Sequence, residues 1–98
     1  MTHFLDDATE VDLDELAQAS GLARELIAEL VEFGVFEPQQ VADGWRFSAR
    51  CILKARQAAR LRRDFELDTT GIALALAYLD RIETLEARLR RLECELLR

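Results

Sequence analysis

The spacing of apolar side chains predicts two short helices near the start of the chain. The first is expected over 12–20, where Asp12 and Glu15 have the spacing of a capping box and Gly21 is a left-handed stop. The second is expected over 22–33, because four apolar residues recur there at helical intervals: Leu26, Ile27, Leu30 and Val31. Two short helices joined by a tight turn have the layout of a helix-turn-helix.

A short β-hairpin, or wing, is predicted over 36–47. Asp43-Gly44 is a turn signal, and the residues after it alternate between apolar and polar, which is typical of a returning strand. Alternation places Trp45 and Phe47 on one face of that strand. We expect this face to pack on the helices, because so short a ribbon is not stable alone.

Two longer helices are predicted after the wing. The third is expected over 49–64 with Ser48 as its cap. Its polar side is strongly basic, with Arg50, Lys54, Arg56, Arg60, Arg62 and Arg63. The fourth is expected to begin at Asp68, Thr69 or Thr70 and to end near residue 96.

The fourth helix carries a heptad repeat of apolar residues. Their spacing alternates between three and four: Ala75, Tyr78, Ile82, Leu85, Leu89, Leu92 and Leu96. A projecting helix cannot bury this seam alone, so we predict a coiled-coil homodimer; the alternative is an apolar stripe that packs within the chain. The expected dimerisation residues are Ile82, Leu85, Leu89, Leu92 and Leu96. The flanking charges, Arg81 and Arg88 against Glu86 and Glu93, favour a parallel pair.

The net charge of −6 hides a strong polarity along the chain. Residues 1–43 contain eleven acidic side chains and one basic side chain, whereas residues 44–98 contain eight acidic and twelve basic ones. Such asymmetry indicates a charged partner for the first half of the chain. The alternative is a surface that only keeps the chain soluble.

The second predicted helix carries its acidic residues in one row. Glu25, Glu29 and Glu32 are spaced i, i+4, i+7, so they lie along one exposed helix face. In a helix-turn-helix this helix normally enters the major groove of DNA, where three carboxylates would repel the phosphates. We therefore predict that this face binds a basic protein surface, with Asp14 and Glu15 as neighbours. The alternative is a solvated helix face.

Several other classes of function have no basis in the sequence. The chain has no apolar stretch of about twenty residues and no secretory signal at its start. Cys51 and Cys94 are 43 positions apart, which fits neither a disulfide framework nor a zinc knuckle. There is no glycine-rich phosphate loop, nucleophile elbow or metal-binding constellation. We expect a cytoplasmic protein that is not an enzyme and holds no cofactor or metal.

The order of helix-turn-helix, wing, third helix and long dimerising helix resembles the MerR-like winged-helix architecture. The similarity is carried by Leu16-Ala17, Gly21-Leu22, Phe33-Gly34-Val35, Glu37-Pro38 and Gly44-Trp45-Arg46-Phe47-Ser48. DNA-binding members usually carry an Arg-Tyr-Tyr segment where this chain has Ala28-Glu29-Leu30, and a Ser or Thr cap where it has Ala23. The resemblance therefore implies the scaffold of a DNA reader without its main phosphate contacts.

The resemblance defines an expected fold and its domains. The fold class is all-α, a MerR-like winged helix-turn-helix with a short β wing and a long C-terminal dimerisation helix. Residues 1–10 are expected to form a lead-in, 11–66 the winged helix-turn-helix domain and 67–98 the long helix. MerR-like dimers are usually antiparallel, whereas the charges beside the heptad favour a parallel pair. The sequence leaves both orientations open.

The chain is more similar still to the chaperone-modulator family CbpM, a MerR-like offshoot. The similarity is carried by Arg60-Leu61-Arg62, Leu67-Asp68, Gly71-Ile72-Ala73 and Ala75-Leu76, and it covers about residues 11–97. It implies a modulator that binds the J-domain of a CbpA-type, DnaJ-like co-chaperone and inhibits its stimulation of Hsp70. An effect on the co-chaperone's DNA binding is also implied.

The resemblance suggests how such inhibition would work. A J-domain presents a basic helix to its Hsp70, and an acidic surface that covers this helix would compete with Hsp70. The alternative function is a MerR-like DNA-binding transcriptional regulator, in which Arg24, Arg46 and the basic third helix would contact DNA. Direct nucleic-acid binding is not expected, because no aromatic residues interleave with the basic residues of the third helix.

Overall fold

The computed structural model describes residues 9–97, so residue 98 and most of the expected lead-in lie outside it. In chain order the elements are β1 (Glu10–Val11), α1 (Leu13–Ser20), α2 (Arg24–Glu32), β2 (Gln39–Val41), β3 (Gly44–Ser48), α3 (Cys51–Phe65) and α4 (Thr69–Leu96). The four predicted helices and the wing are confirmed. The description all-α is too narrow, because the strands form a three-stranded antiparallel sheet.

Local signals in the sequence set the ends of α1. The Asp12 carboxylate accepts a hydrogen bond from the Glu15 backbone N–H, and the Glu15 carboxylate accepts one from the Asp12 N–H, each at 2.8 Å. The predicted capping box is therefore present. At the other end of α1, Gly21 has the expected left-handed conformation, with a φ of +78°.

A Schellman motif ends α2 at Gly34. The Gly34 N–H donates to the Val31 carbonyl and the Val35 N–H donates to the Leu30 carbonyl, both at 2.9 Å. Gly34 has a φ of +81°, which confirms it as the helix stop. The helix begins at Arg24, two residues later than expected, because Leu22 belongs to the preceding turn and is buried in the core.

The sheet has the order β1-β3-β2, with β3 in the centre. Val41 pairs with Gly44, so the hairpin loop consists of Ala42 and Asp43 rather than Asp43 and Gly44. The centroid of the Phe47 ring lies 6.0 Å from that of Trp45 in an edge-to-face contact, which confirms that both pack on one side. The first strand, which pairs Val11 with Phe47, was not predicted from the sequence.

The core lies between the helix-turn-helix, the sheet, α3 and the first part of α4. Its buried apolar members are Leu16, Leu22, Ile27, Leu30, Phe36, Phe47, Ala49, Ile52, Ala55, Ala58, Ile72 and Leu76. The α3 helix begins at Cys51, two residues later than expected, and its N-cap is Arg50 rather than Ser48. The Ser48 hydroxyl accepts a hydrogen bond from the Arg50 N–H, just before the helix. Asp68 caps α4 by accepting the Gly71 N–H at 2.9 Å.

Only the first third of α4 is packed against the rest of the chain. The helix has 28 residues and is therefore about 42 Å long. Ile72 and Leu76 are buried in the core, whereas every residue of 80–97 is exposed. The second part of the helix thus projects beyond the globular part of the molecule.

Replacing Gly21 by alanine is expected to lower the free energy of unfolding by about 1–2 kcal/mol. A Cβ atom at Gly21 would meet no heavy atom within 4 Å, so the loss comes from the positive φ rather than from a clash. Urea denaturation followed by circular dichroism measures it. Gly21→Asn is the matched control, because asparagine tolerates this conformation better, and equal losses in both variants would contradict the explanation.

Candidate partner-binding surface

Three glutamates form a row on the solvent side of α2. Glu25, Glu29 and Glu32 are all exposed, whereas Ile27 and Leu30 on the opposite side of the helix are completely buried. We call this row the acidic ridge. Its position follows from the helical period, because the apolar positions at Ile27 and Leu30 turn the glutamates outward. The sequence prediction of one exposed acidic face is confirmed as geometry, while its binding role remains to be tested.

Two of the three carboxylates of the acidic ridge form no hydrogen bond or ion pair within residues 9–97. Within residues 9–97, none of its carboxylates forms an ion pair with an arginine or lysine of the same chain. Glu29 accepts a hydrogen bond from the Thr69 hydroxyl at the start of α4. This bond ties α2 to the start of α4, while Glu29 as a whole remains exposed.

The two acidic residues expected to extend the ridge have structural roles of their own. Asp14 is exposed and forms an ion pair with Arg24, with 3.1 Å between Asp14 Oδ1 and the Arg24 terminal nitrogen. Glu15 is exposed as well, but its carboxylate closes the capping box with Asp12. Both lie on α1, so any contribution to binding would compete with these local contacts.

A groove separates the acidic ridge from the end of α3. One wall is formed by Glu25, Leu26 and Glu29 of α2, and the other by Ala59, Arg62 and Arg63 of α3. The turn between α1 and α2 also lines the groove, whose volume is about 450 Å³. We call it the two-sided groove, because one wall is acidic and the other basic.

The basic residues of α3 are divided between structural contacts and solvent. Arg56 Nε donates to the Ala19 carbonyl at 3.2 Å, and Arg62 donates to the Leu67 carbonyl at 3.2 Å. Lys54 forms an ion pair with Asp80 of α4, with 3.3 Å between the charged atoms. Several of these bases therefore hold helices and connectors together.

An unbroken apolar stripe runs along the projecting part of α4. Its members, which we call the α4 stripe, are all exposed by about half of their surface or more: Ile82 (49%), Leu85 (52%), Leu89 (57%), Leu92 (54%) and Leu96 (84%). Leu74 and Tyr78 continue it towards the core with exposures of 59% and 60%. No described residue of the same chain covers the stripe, so the alternative of an internal core stripe is wrong.

The two cysteines offer no catalytic arrangement among the described residues. Cys51 is half-buried, and burial raises the pKa of its thiol above the usual value. A raised pKa lowers the fraction of reactive thiolate at neutral pH. Cys94 is exposed on α4.

Within residues 9–97, no three His, Cys, Asp or Glu residues are grouped so that they could hold a metal ion. Among the helices of that range, none combines the length and apolar character needed to cross a membrane.

Comparison with known proteins agrees with this fold. A family described as MerR HTH family regulatory protein matches residues 11–94. The chaperone modulatory protein CbpM of Coxiella burnetii (strain Dugway 5J108-111) is 43% identical over 90 residues, which cover 91% of this chain and 85% of the relative. CbpM of Pseudomonas putida (strain W619) is 33% identical over 79 residues, or 80% of this chain and 78% of the relative.

The scaffold is therefore that of the MerR-like helix-turn-helix proteins. Within them, the chain belongs to the CbpM family of chaperone modulatory proteins. This confirms the family resemblance identified from the sequence, including the function of chaperone modulation. Neither of the two matching family descriptions names a catalytic activity.

Two parts of the surface were not predicted from the sequence. The bond between Thr69 and Glu29 joins residues forty positions apart, and the two-sided groove joins Glu25 with Arg63. The high density of bases near the end of α3 was visible in the sequence. No local pattern indicated which acidic helix these bases would face.

Proposed function

We propose that this chain is a stoichiometric inhibitor of a DnaJ-like co-chaperone and that it binds the J-domain through the acidic ridge. The supporting observation is the placement of Glu25, Glu29 and Glu32 in one exposed row on the helix that a DNA reader would insert into the major groove. A basic helix of a J-domain is complementary to this row. Covering that helix would prevent the J-domain from reaching its Hsp70, and the expected place of action is the cytoplasm.

The proposal includes self-association through the α4 stripe. Five half-exposed aliphatic side chains in heptad spacing form a larger apolar surface than a monomer usually leaves in water. Pairing two copies along this stripe would bury it and would place one acidic ridge on each globular part. One dimer could then bind two J-domains, since the ridge lies on α2 and the stripe on the projecting part of α4.

Binding to a J-domain is expected to weaken as salt rises, because exposed charges are screened. Titration calorimetry of the full chain with the J-domain, at low and at physiological ionic strength, measures this. We expect the dissociation constant to rise roughly fivefold or more between the two conditions. A salt-independent affinity would show that the acidic ridge does not carry the interaction.

The alternative of a DNA-binding regulator is tested by a mobility-shift assay at low salt. Arg24, one of its expected DNA contacts, forms an ion pair with Asp14, and the neighbouring acidic ridge would face the phosphates. The inhibitor proposal therefore requires that the isolated chain does not bind DNA tightly. Tight binding, with a strong decrease as salt rises, would favour the regulator instead.

A further inference from the structure

We infer that the two-sided groove selects partners that present an acidic side chain beside a basic one, and that Arg63 is the residue that binds the acidic side chain. This inference rests on the proposed function, since it concerns the surface through which the J-domain would bind. It goes beyond simple charge attraction, because it assigns a binding role to a positively charged residue within a surface that binds a basic partner.

The geometry of the ridge makes the groove part of any such interface. Glu25 and Glu29 belong to the acidic ridge and also form one wall of the two-sided groove. A partner helix that covers these two carboxylates therefore also covers the opposite wall, which contains Arg62 and Arg63. The apolar parts of the walls, Leu26 and Ala59, can contact the aliphatic stem of a lysine or arginine from the partner.

The basic wall would oppose a uniformly basic partner. Like charges placed against each other across an interface cost several kcal/mol, and covered guanidinium groups also lose their water. The carboxylates of Glu25 and Glu29 form no ion pair with Arg62 or Arg63, so they compensate this wall only from across the groove. A partner that fills the groove must therefore supply its own carboxylate for the basic wall.

The two arginines differ in how available they are. Arg62 is engaged with the Leu67 carbonyl and so supports the connector before α4. Arg63 uses only its Nε atom, which donates to the Asp64 carboxylate of the same helix at 3.2 Å. Among residues 9–97 its two terminal nitrogens have no hydrogen-bond partner, and the side chain is 72% exposed. These two nitrogens can donate a pair of parallel hydrogen bonds to a carboxylate of the partner.

The direction in which a charge reversal at Arg63 changes the affinity distinguishes this inference from general charge attraction. If attraction to a basic partner acts only through overall charge, Arg63→Glu makes the chain more acidic and strengthens binding. If Arg63 pairs with a partner carboxylate, the same variant weakens binding, because a charge-assisted hydrogen bond is replaced by repulsion. Arg60→Glu is the matched control, since Arg60 is an exposed arginine of the same helix that does not line the groove.

The experiment is calorimetric titration of each full-length variant with the J-domain at low salt, with circular dichroism to check the fold. We expect Arg63→Glu to raise the dissociation constant at least about fivefold and Arg63→Lys to retain most of the affinity. Arg60→Glu should change it less than about twofold. Tighter binding by Arg63→Glu, or equal effects of Arg60→Glu and Arg63→Glu, would overturn the assignment of the groove alone. If the unaltered chain does not bind the J-domain, the proposed function fails, and the groove assignment fails with it.

Discussion

Glu25→Lys combined with Glu29→Lys is expected to raise the dissociation constant for the J-domain at least about tenfold. The variant replaces two of the three exposed carboxylates of the acidic ridge with positive charges that would face a basic helix. Calorimetric titration measures the affinity, and an assay of Hsp70 ATP hydrolysis measures whether inhibition of the co-chaperone is lost in parallel.

A matched control separates the ridge from overall charge. Glu10→Lys with Glu95→Lys produces the same change in net charge at two exposed positions away from α2, and should leave binding nearly unchanged. Because Glu29 also accepts a hydrogen bond from Thr69, thermal unfolding of the test variant must be measured alongside. Unchanged binding in a folded Glu25/Glu29 variant would place the J-domain on another surface.

Leu89→Asp is expected to dissociate the proposed dimer, raising its dissociation constant at least roughly a hundredfold. Leu89 lies in the middle of the α4 stripe and is 57% exposed in the single chain. In a pair of helices each copy would contribute one aspartate to the apolar seam, so two carboxylates would lose water without gaining a partner. Analytical ultracentrifugation over a range of concentrations measures the change.

The control for this variant lies two residues earlier on the same helix. Ala87 is exposed and lies outside the heptad seam, so Ala87→Asp adds the same charge without entering the proposed interface. It should remain dimeric. Dissociation by both variants would indicate a general charge effect, and a dimer that survives Leu89→Asp would show that the seam is elsewhere.

The local features of this chain could be read from its sequence because each depends on residues within one helical turn. The capping box of Asp12 and Glu15 and the left-handed glycine at Gly21 involve close neighbours, and both appear in the structure as expected. The acidic ridge and the α4 stripe follow from the helical period alone. Successive residues of an α-helix are rotated by about 100° about its axis, so their spacing alone fixes which side chains share a face, whatever the helix packs against.

Errors in the sequence analysis came from interactions between distant segments. The two residues of β1 have no strand signal of their own, and they become a strand only through their pairing with Phe47 and Ser48 of β3. The hairpin loop shifted by one residue because pairing of Val41 with Gly44 decided the register. In both cases the partner strand, not the local sequence, provided the hydrogen bonds that define the element.

The sequence by itself determined which four segments form helices, that the acidic ridge of α2 and the α4 stripe point to solvent, and that the chain belongs to the chaperone modulators. Helical period, capping and family similarity are properties of the chain before it folds. Only the tertiary structure decided what faces the acidic ridge, namely Thr69 and the arginines at the end of α3. Packing of α2 against α4, and of α1 against both α2 and α3, brings these charges together across about forty residues of sequence, and no local pattern specifies such a contact.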